Sequence, residues 1–389
     1  MMRGAALCLV ALTLAPAPSQ AGQSILLSAN DGLQTFAAGA YKMREHPGLG
    51  TLSAYDPATT PPRPLWAVPL EQTAIGPPTA VAATPDGRLA LIGNPAVVDP
   101  ANPAKIKMTE DLQIVALHGS SAPASVERLS LKHHPWSVAV SPDGRLAATA
   151  NGDGTLTLLR ISGVSVTPIV DVRVGAAGSQ NTGVAFSRDG RYLLASRRRD
   201  DLVSLYRVEG ESVTPVRDIT VGSNPYEIVV SPDGKLAAVS NVGRTSGDND
   251  SVSLIDLSAD PVRTTGIISV GPTPEGIAFA PDSRHLAVNS INGSNLKPDS
   301  PFHREHSLIQ VFDLGSGAPL LVGAAEVGAN AQGLAFSPDG ATLIVQDYAS
   351  DRLVSFAVGR QSLTEATGSA VSVEGGPSAL VTVEVKPSP

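Results

Sequence analysis

Imidazole, guanidinium and carboxyl groups cluster at a few points of this chain, and those points bound its chemistry. In KHHPW, His133 and His134 stand just before Trp136; imidazole carries protons or binds metals near neutral pH. The run Arg197, Arg198 and Arg199 is followed by Asp200 and Asp201. A guanidinium fork suits carboxylate or phosphate groups, and alternation along an extended segment puts Arg197 and Arg199 on one side as the expected anion contacts. The opposing role for this run is pairing with its own aspartates, or with Asp153 or Asp351. Glu227, Glu275 and His133 are the expected proton carriers, because they stand where buried strands begin and burial there shifts a pKa. Asn181, Tyr226, Trp136, His134 and Arg304 add hydrogen-bonding and stacking groups for a ligand. His303-Arg-Glu-His306 offers the one candidate divalent-metal pair. Its spacing suits a helical face, which Pro298 and Pro301 oppose. No other cofactor is expected.

The elements that must hold these groups are strands. With 37 glycines and 32 prolines in 389 residues, the chain is punctuated too often for long helices. Its 42% apolar content and net charge of −8 still allow a large core. Arg3, the apolar run from Ala5 to Leu14 and Ser19-Gln20-Ala21 read as a secretory leader over residues 1–21. The run is too short to span a bilayer, and no later segment is longer. The only cysteine, Cys8, lies inside that leader. The remaining chain, 22–389, is then cysteine-free, which excludes disulfides, thiol nucleophiles and c-type haem attachment. The acidic balance argues against nucleic-acid partners. A P-loop, a G-x-S-x-G elbow and an H-E-x-x-H pair are absent from the sequence.

A repeat organises the strands. VAATPDGRLALIGN at 81–94 recurs as VAVSPDGRLAATAN, VAFSRDGRYLLASR, IVVSPDGKLAAVSN, IAFAPDSRHLAVNS and LAFSPDGATLIVQD. The turn aspartates Asp86, Asp143, Asp189, Asp233, Asp282 and Asp339 recur at intervals of 44 to 57 residues, the period of a four-stranded propeller blade. In each copy Pro sets φ at the first corner of the turn, Asp bonds back to the backbone and Gly takes the positive φ. Apolar segments such as 155–161, 202–208 and 251–257 supply third strands. The segment at 24–31 resembles a second strand lacking a first, and that at 377–385 a first strand lacking a turn. Together they predict a seventh blade, and so an all-β, seven-bladed propeller of four-stranded antiparallel blades closed by pairing of its two ends. One monomeric domain is expected.

Longer connections fall at one point of the repeat, at 33–49, 95–111, 242–250 and 291–306. They share a face with the entry loops to the inner strands, which marks that face as the binding side. The entry loops also carry Asn224, Asn330 and Gln332.

The unit VGSNPYEIVVSPDGKLAAVSNVG at 221–243 resembles the YVTN-type seven-bladed propellers and the related lactonase-like propellers of bacterial envelopes. The resemblance implies a propeller that hydrolyses or isomerises a lactone, serves a periplasmic redox enzyme as a subunit, or only binds partners. KHHPWSVAVSPDG resembles the family's His-containing entry, and ASRRRDDLVSLYRV its Asn-Arg-Gly element, with Arg197 as the matching arginine. Where that family has Pro-Arg-His, this chain has GSQNTGVAF. The resulting expectation is a periplasmic or secreted protein that binds a small anionic ligand or a periplasmic protein on its insertion-rich face. The alternatives are a lactonase or cycloisomerase acting on a carboxylated lactone, with Arg197 stabilising charge and His133 or Glu227 moving the proton, and an accessory redox subunit.

Overall fold

The computed structural model describes residues 23–71, 78–93, 95–315 and 317–385; the leader read at 1–21 lies outside the described residues. Among the described residues every regular element is a strand. Seven sheets are arranged as blades. Blade 1 joins both ends of the chain: Gly376–Val385 is its inner strand, followed outward by Gln23–Asp31, Gly50–Asp56 and Arg63–Leu70. Blades 2 to 7 occupy residues 81–130, 135–173, 184–220, 225–270, 274–327 and 334–372. Blade 7 departs from the common pattern. Its outer strand is only Leu363–Glu365, and Val371–Ser372 adds a second short partner to the third strand.

The repeat explains the local geometry. In SPDG the Ser141 hydroxyl donates to Asp143 Oδ1 at 2.6 Å, and the same oxygen accepts from the Arg145 amide at 3.0 Å. Gly144 takes a φ of +72°, which a side chain would strain. The turns at 84–89, 187–192, 231–236 and 337–342 repeat this bonding. These aspartates are held as ionised acceptors by the turn itself, with pKa values below the ordinary carboxyl range.

The core is divided among the gaps between blades. Side chains of a second strand alternate between two neighbours: Ala237 and Val239 pack toward blade 4, Ala238 toward blade 6. Each of the seven gaps has its own apolar cluster. The gap between blades 7 and 1 is filled by Leu26, Tyr55, Leu380, Ala335, Ile344 and Leu353. Leu26 faces Thr382 and Leu27 faces Val381 in the seam that pairs the chain ends.

Two of the predicted insertions form hairpins, Gln34–Ala37 with Ala40–Met43 and Ala96–Asp99 with Asn102–Met108. The first leans onto blade 7. Arg44 grips Asp351 with two bonds of 2.7 and 3.1 Å, Phe36 and Tyr348 form a small apolar cluster, and Tyr41 meets both rings edge-on. At its base Asp31 accepts from the amides of Leu33 and Gln34 and from the Tyr348 hydroxyl.

Removing residues 376–389 takes away an inner strand and the buried Leu380, Ala379 and Val383. Burial contributes roughly 1.5–3 kcal/mol per large apolar side chain, and two blade faces lose their cover. Thermal unfolding of the truncated protein is expected to lose its cooperative transition; a midpoint equal to that of the full chain would refute closure through this seam.

Candidate active site

Each inner strand begins at the insertion-bearing face, which we call the upper face. At one position of the repeat, seven residues before the turn aspartate of blades 2 to 7 and at the matching place in blade 1, stand Ser378, Thr79, Trp136, Thr182, Tyr226, Glu275 and Gln332, in blade order. In blades 3, 5 and 6 the pairing with the second strand skips at this point, between Pro135 and Ser137, Pro225 and Ile228, and Pro274 and Gly276. A skipped pair frees the local side chain from the ladder and re-aims it. Left-handed backbone at Gln180, Asn224, Thr273 and Asn330 turns the loops into position.

Blades 4 to 7 and the first hairpin bring their groups together. The Arg198 guanidinium lies 5.4 Å from the centre of the buried Tyr226 ring. Tyr226, Tyr41 and Arg198 all act electrostatically on one another or on Glu275. Gln332 donates to the Glu275 carboxyl, and Asn330 Nδ2 donates to the Tyr41 hydroxyl at 2.8 Å. Burial pushes the Glu275 carboxyl up to about 7, against the opposing pull of Arg198 and Gln332. Next to Tyr226, Glu227 is also buried, and its Oε2 accepts from the Ile277 amide of blade 6 at 2.8 Å. Desolvation holds this carboxyl well above the ordinary range, and the nearby Glu275 adds to the effect. Tyr226 is raised by burial as well. The upper mouth therefore combines a cation, two phenols and a carboxyl that titrates near neutrality.

The expected residues divide into those at this mouth and those elsewhere. Tyr226, Glu227 and Glu275 belong to it. Trp136 stands at the equivalent point of blade 3, over Gly152, where a Cβ would come within 3.0 Å of the indole. His133 turns the other way: its Nδ1 lies 2.8 Å from Asp153 and its Nε2 3.7 Å from Asp171 on the outer strand of blade 3. His134 is half-buried against the carbonyl of Thr109, and the lost hydration lowers its pKa. Asn181 is a strut between blades, its amide donating to the Thr155 carbonyl at 3.1 Å.

The arginine run corrects the alternation argument. Arg197 bonds Asp200 at 2.7 Å and Asp218 at 2.6 Å, so its charge is spent within blade 4. Arg199 is exposed. The second strand ends at Arg197 and the next residues form a turn, so the two-residue period stops there and Arg198 is the one delivered to Tyr226. In the fourth insertion His303 Nδ1 lies 3.1 Å from the Leu296 carbonyl, Arg304 donates to the His303 carbonyl, and His306 is exposed. Among the described residues no group of three or more His, Cys, Asp or Glu side chains could hold a metal ion. His303 and His306 thus lack the converging third ligand that a metal there requires. Arg198 and Tyr41 were not marked as site residues by the sequence; only Arg198, in a basic run, carried a visible signal.

Comparison with known proteins agrees with this architecture. A model described as lactonase, 7-bladed β-propeller matches residues 153–243, the stretch that supplies Arg198, Tyr226 and Glu227, and a WD-domain G-beta repeat matches residues 126–158. No curated protein matches the chain significantly. Among solved structures, the periplasmic gluconolactonase PpgL of Pseudomonas aeruginosa is similar at 20% identity and a TM-score of 0.65, covering 93% of this chain and 99% of that one. A candidate 6-phosphogluconolactonase from Bacteroides uniformis is 17% identical with a TM-score of 0.68, covering 94% and 100%. A functionally unknown protein from Desulfotomaculum acetoxidans is 14% identical with a TM-score of 0.64, covering 93% and 99%. At these identities the likeness concerns the fold. With seven blades and a seam between its first and last described strands, the chain is a seven-bladed β-propeller, and over residues 153–243 it is similar to the lactonase-type members of that fold.

Proposed function

We propose that the protein hydrolyses a lactone, one carrying a carboxylate, at the upper mouth of the channel. The observation that carries this reading is the Arg198 guanidinium, placed over the Tyr226 ring within electrostatic reach of Glu275, a half-buried carboxyl whose pKa of about 7 suits a base at neutral pH. The lactonase-model match and the lactonase neighbours support it. Ionised Glu275 removes a proton from water as the oxygen attacks the lactone carbonyl. Arg198 stabilises the tetrahedral oxyanion, a role in which a preorganised cation is most effective in a site shielded from water. Collapse breaks the ring C–O bond, and the proton held by Glu275 passes to the departing alkoxide, leaving a hydroxy acid. Gln332 and Tyr41 orient the carboxyl and the mouth. Glu227, whose burial favours the protonated form, fixes the inner strands of blades 5 and 6 through Ile277. Arg198 takes the role that the sequence resemblance gave to Arg197, and Glu275 that given to His133 or Glu227.

On a panel of carboxylated and polyhydroxylated lactones, Arg198→Gln is expected to lower kcat/KM by about 10²–10³, and Glu275→Gln by about 10²–10⁴. Arg197→Gln, which breaks an ion pair outside the mouth, is expected to keep the rate within a few-fold. Binding of a carboxylated lactone without turnover would return the protein to the class of anion-binding propellers. The rate of the parent protein is expected to fall tenfold per pH unit below about 7, as Glu275 takes up its proton, and Glu275→Gln to lose that limb.

Stability gives an independent check. The folded pKa of Glu275 lies above its ordinary value of 4.5, so the stabilisation from its neutral form is complete below that pH and is lost as pH rises through about 7. Thermal midpoints of Glu275→Gln are expected to depend less on pH between 4.5 and 7 than those of the parent; an unchanged slope would mean the carboxyl is not desolvated.

A further inference from the structure

The lower ends of the inner strands place one residue of every blade around the opposite mouth: Glu384, Pro85, Pro142, Arg188, Pro232, Pro281 and Pro338, in blade order. Five of them, Glu384, Pro85, Pro142, Arg188 and Pro281, rest on the turn glycine of the next blade. Gly144 faces Pro85, Gly190 faces Pro142, and Gly234 faces the Arg188 Cβ, at 3.0 to 3.5 Å from where a Cβ would stand. Five members are proline, and the two exceptions carry opposite charges on blades three apart.

Above this ring is a cavity of about 500 Å³, with Arg188 and Glu384 among its lining residues toward the lower face and Glu227 toward the upper. Between them the wall is largely apolar, with Val81, Val229, Phe279, Phe336 and Leu380. The Arg188 hydrogen bond within the protein is a long one, 3.4 Å from Nε to the Ser231 carbonyl. Arg188 is exposed at the lower mouth, yet loss of water over part of its side chain lowers the guanidinium pKa and no neighbouring charge offsets that loss. Two hydroxyls of the same wall, Thr79 Oγ1 and Thr382 Oγ1, are buried without a partner in the protein.

From this geometry we infer that the lower channel binds a free amphiphilic monocarboxylate, its carboxylate on Arg188 and its apolar chain against Phe279, Phe336 and Leu380. A partly desolvated guanidinium is best matched by a carboxylate taken in two parallel hydrogen bonds. The volume falls within the range of small-molecule pockets, and apolar walls with few polar groups are typical of them. Glu384 disfavours a second negative charge on the ligand. The cavity reaches Glu227 and Thr79 at its upper end, but Arg198 and Glu275 are not among its lining residues, so carboxylate binding on Arg188 is separable from the reaction proposed above.

Calorimetric titration of the full chain with octanoate, its dicarboxylic counterpart suberate and neutral octanol tests the assignment. Octanoate is expected to bind saturably at one site, with suberate and octanol at least about tenfold weaker. Arg188→Gln and Arg188→Pro, the latter restoring the residue of the other turns, are each expected to weaken octanoate at least about tenfold. Val229→Phe fills the cavity and is expected to abolish binding, whereas Arg198→Gln at the upper mouth leaves it unchanged. Absence of octanoate binding at millimolar concentration, undiminished affinity in both Arg188 variants, suberate binding as tightly as octanoate, or loss of binding in Arg198→Gln instead would each overturn the proposal.

Discussion

The seam between Gln23–Asp31 and Gly376–Val385 is the constraint on which the rest of the molecule depends. A propeller has no single core. Its apolar surface is divided among gaps, and each blade is covered only if both neighbours are present, so an open ring exposes two faces at once. Here the gap between blades 7 and 1 rests on few large side chains, Leu26, Tyr55 and Leu380 from blade 1 against Ala335, Ile344 and Leu353 from blade 7. The nine paired positions of the seam supply what that packing alone does not. Pairing also removes the free strand edges that would recruit other chains.

Closure and the candidate site are linked through the first hairpin. It springs from the strand that forms the seam, and Arg44, Phe36 and Tyr41 fasten it to Asp351 and Tyr348 of blade 7. Tyr41 then reaches Asn330 and the field of Glu275. A residue near the beginning of the described chain is thereby set beside the entry loops of blades 6 and 7, and blade 4 contributes Arg198 from the other side. Carboxyls withdrawn from water at this mouth, Glu227 fully and Glu275 in part, are costly to ionise, which raises the pKa of both.

Much of the fold was legible because it is written repeatedly. Six turns with the same Asp, at blade-sized intervals, define the hairpins, and the unmatched first and last strands define the seam. The site was legible where it follows from the repeat: Tyr226, Glu227 and Glu275 occupy the starts of inner strands, and the structure keeps them there. It was illegible where local rules end. Two-residue alternation holds to the end of the second strand, but a turn begins after Arg197, so the arginine aimed at the mouth is the one alternation turned away. His133 reads as a proton carrier by type, yet Asp153 and Asp171, distant in sequence, draw it outward. Tyr41 lies among charged neighbours in an insertion, and its contacts with Asn330 and Tyr348, more than 280 residues away along the chain, are out of reach of any local rule.

The seven positions at the upper ends of the inner strands, from Ser378 and Thr79 through Tyr226 and Glu275 to Gln332, share one place in the repeat while differing in chemistry. Each is held by its own blade's entry loop, and the gap-filling residues lie further along the strands. The ring therefore separates the vocabulary of recognition from the grammar of folding. One blade's contribution can be exchanged for another's by a single codon, and a scaffold of this kind can acquire a new ligand in steps, each leaving the closed ring intact.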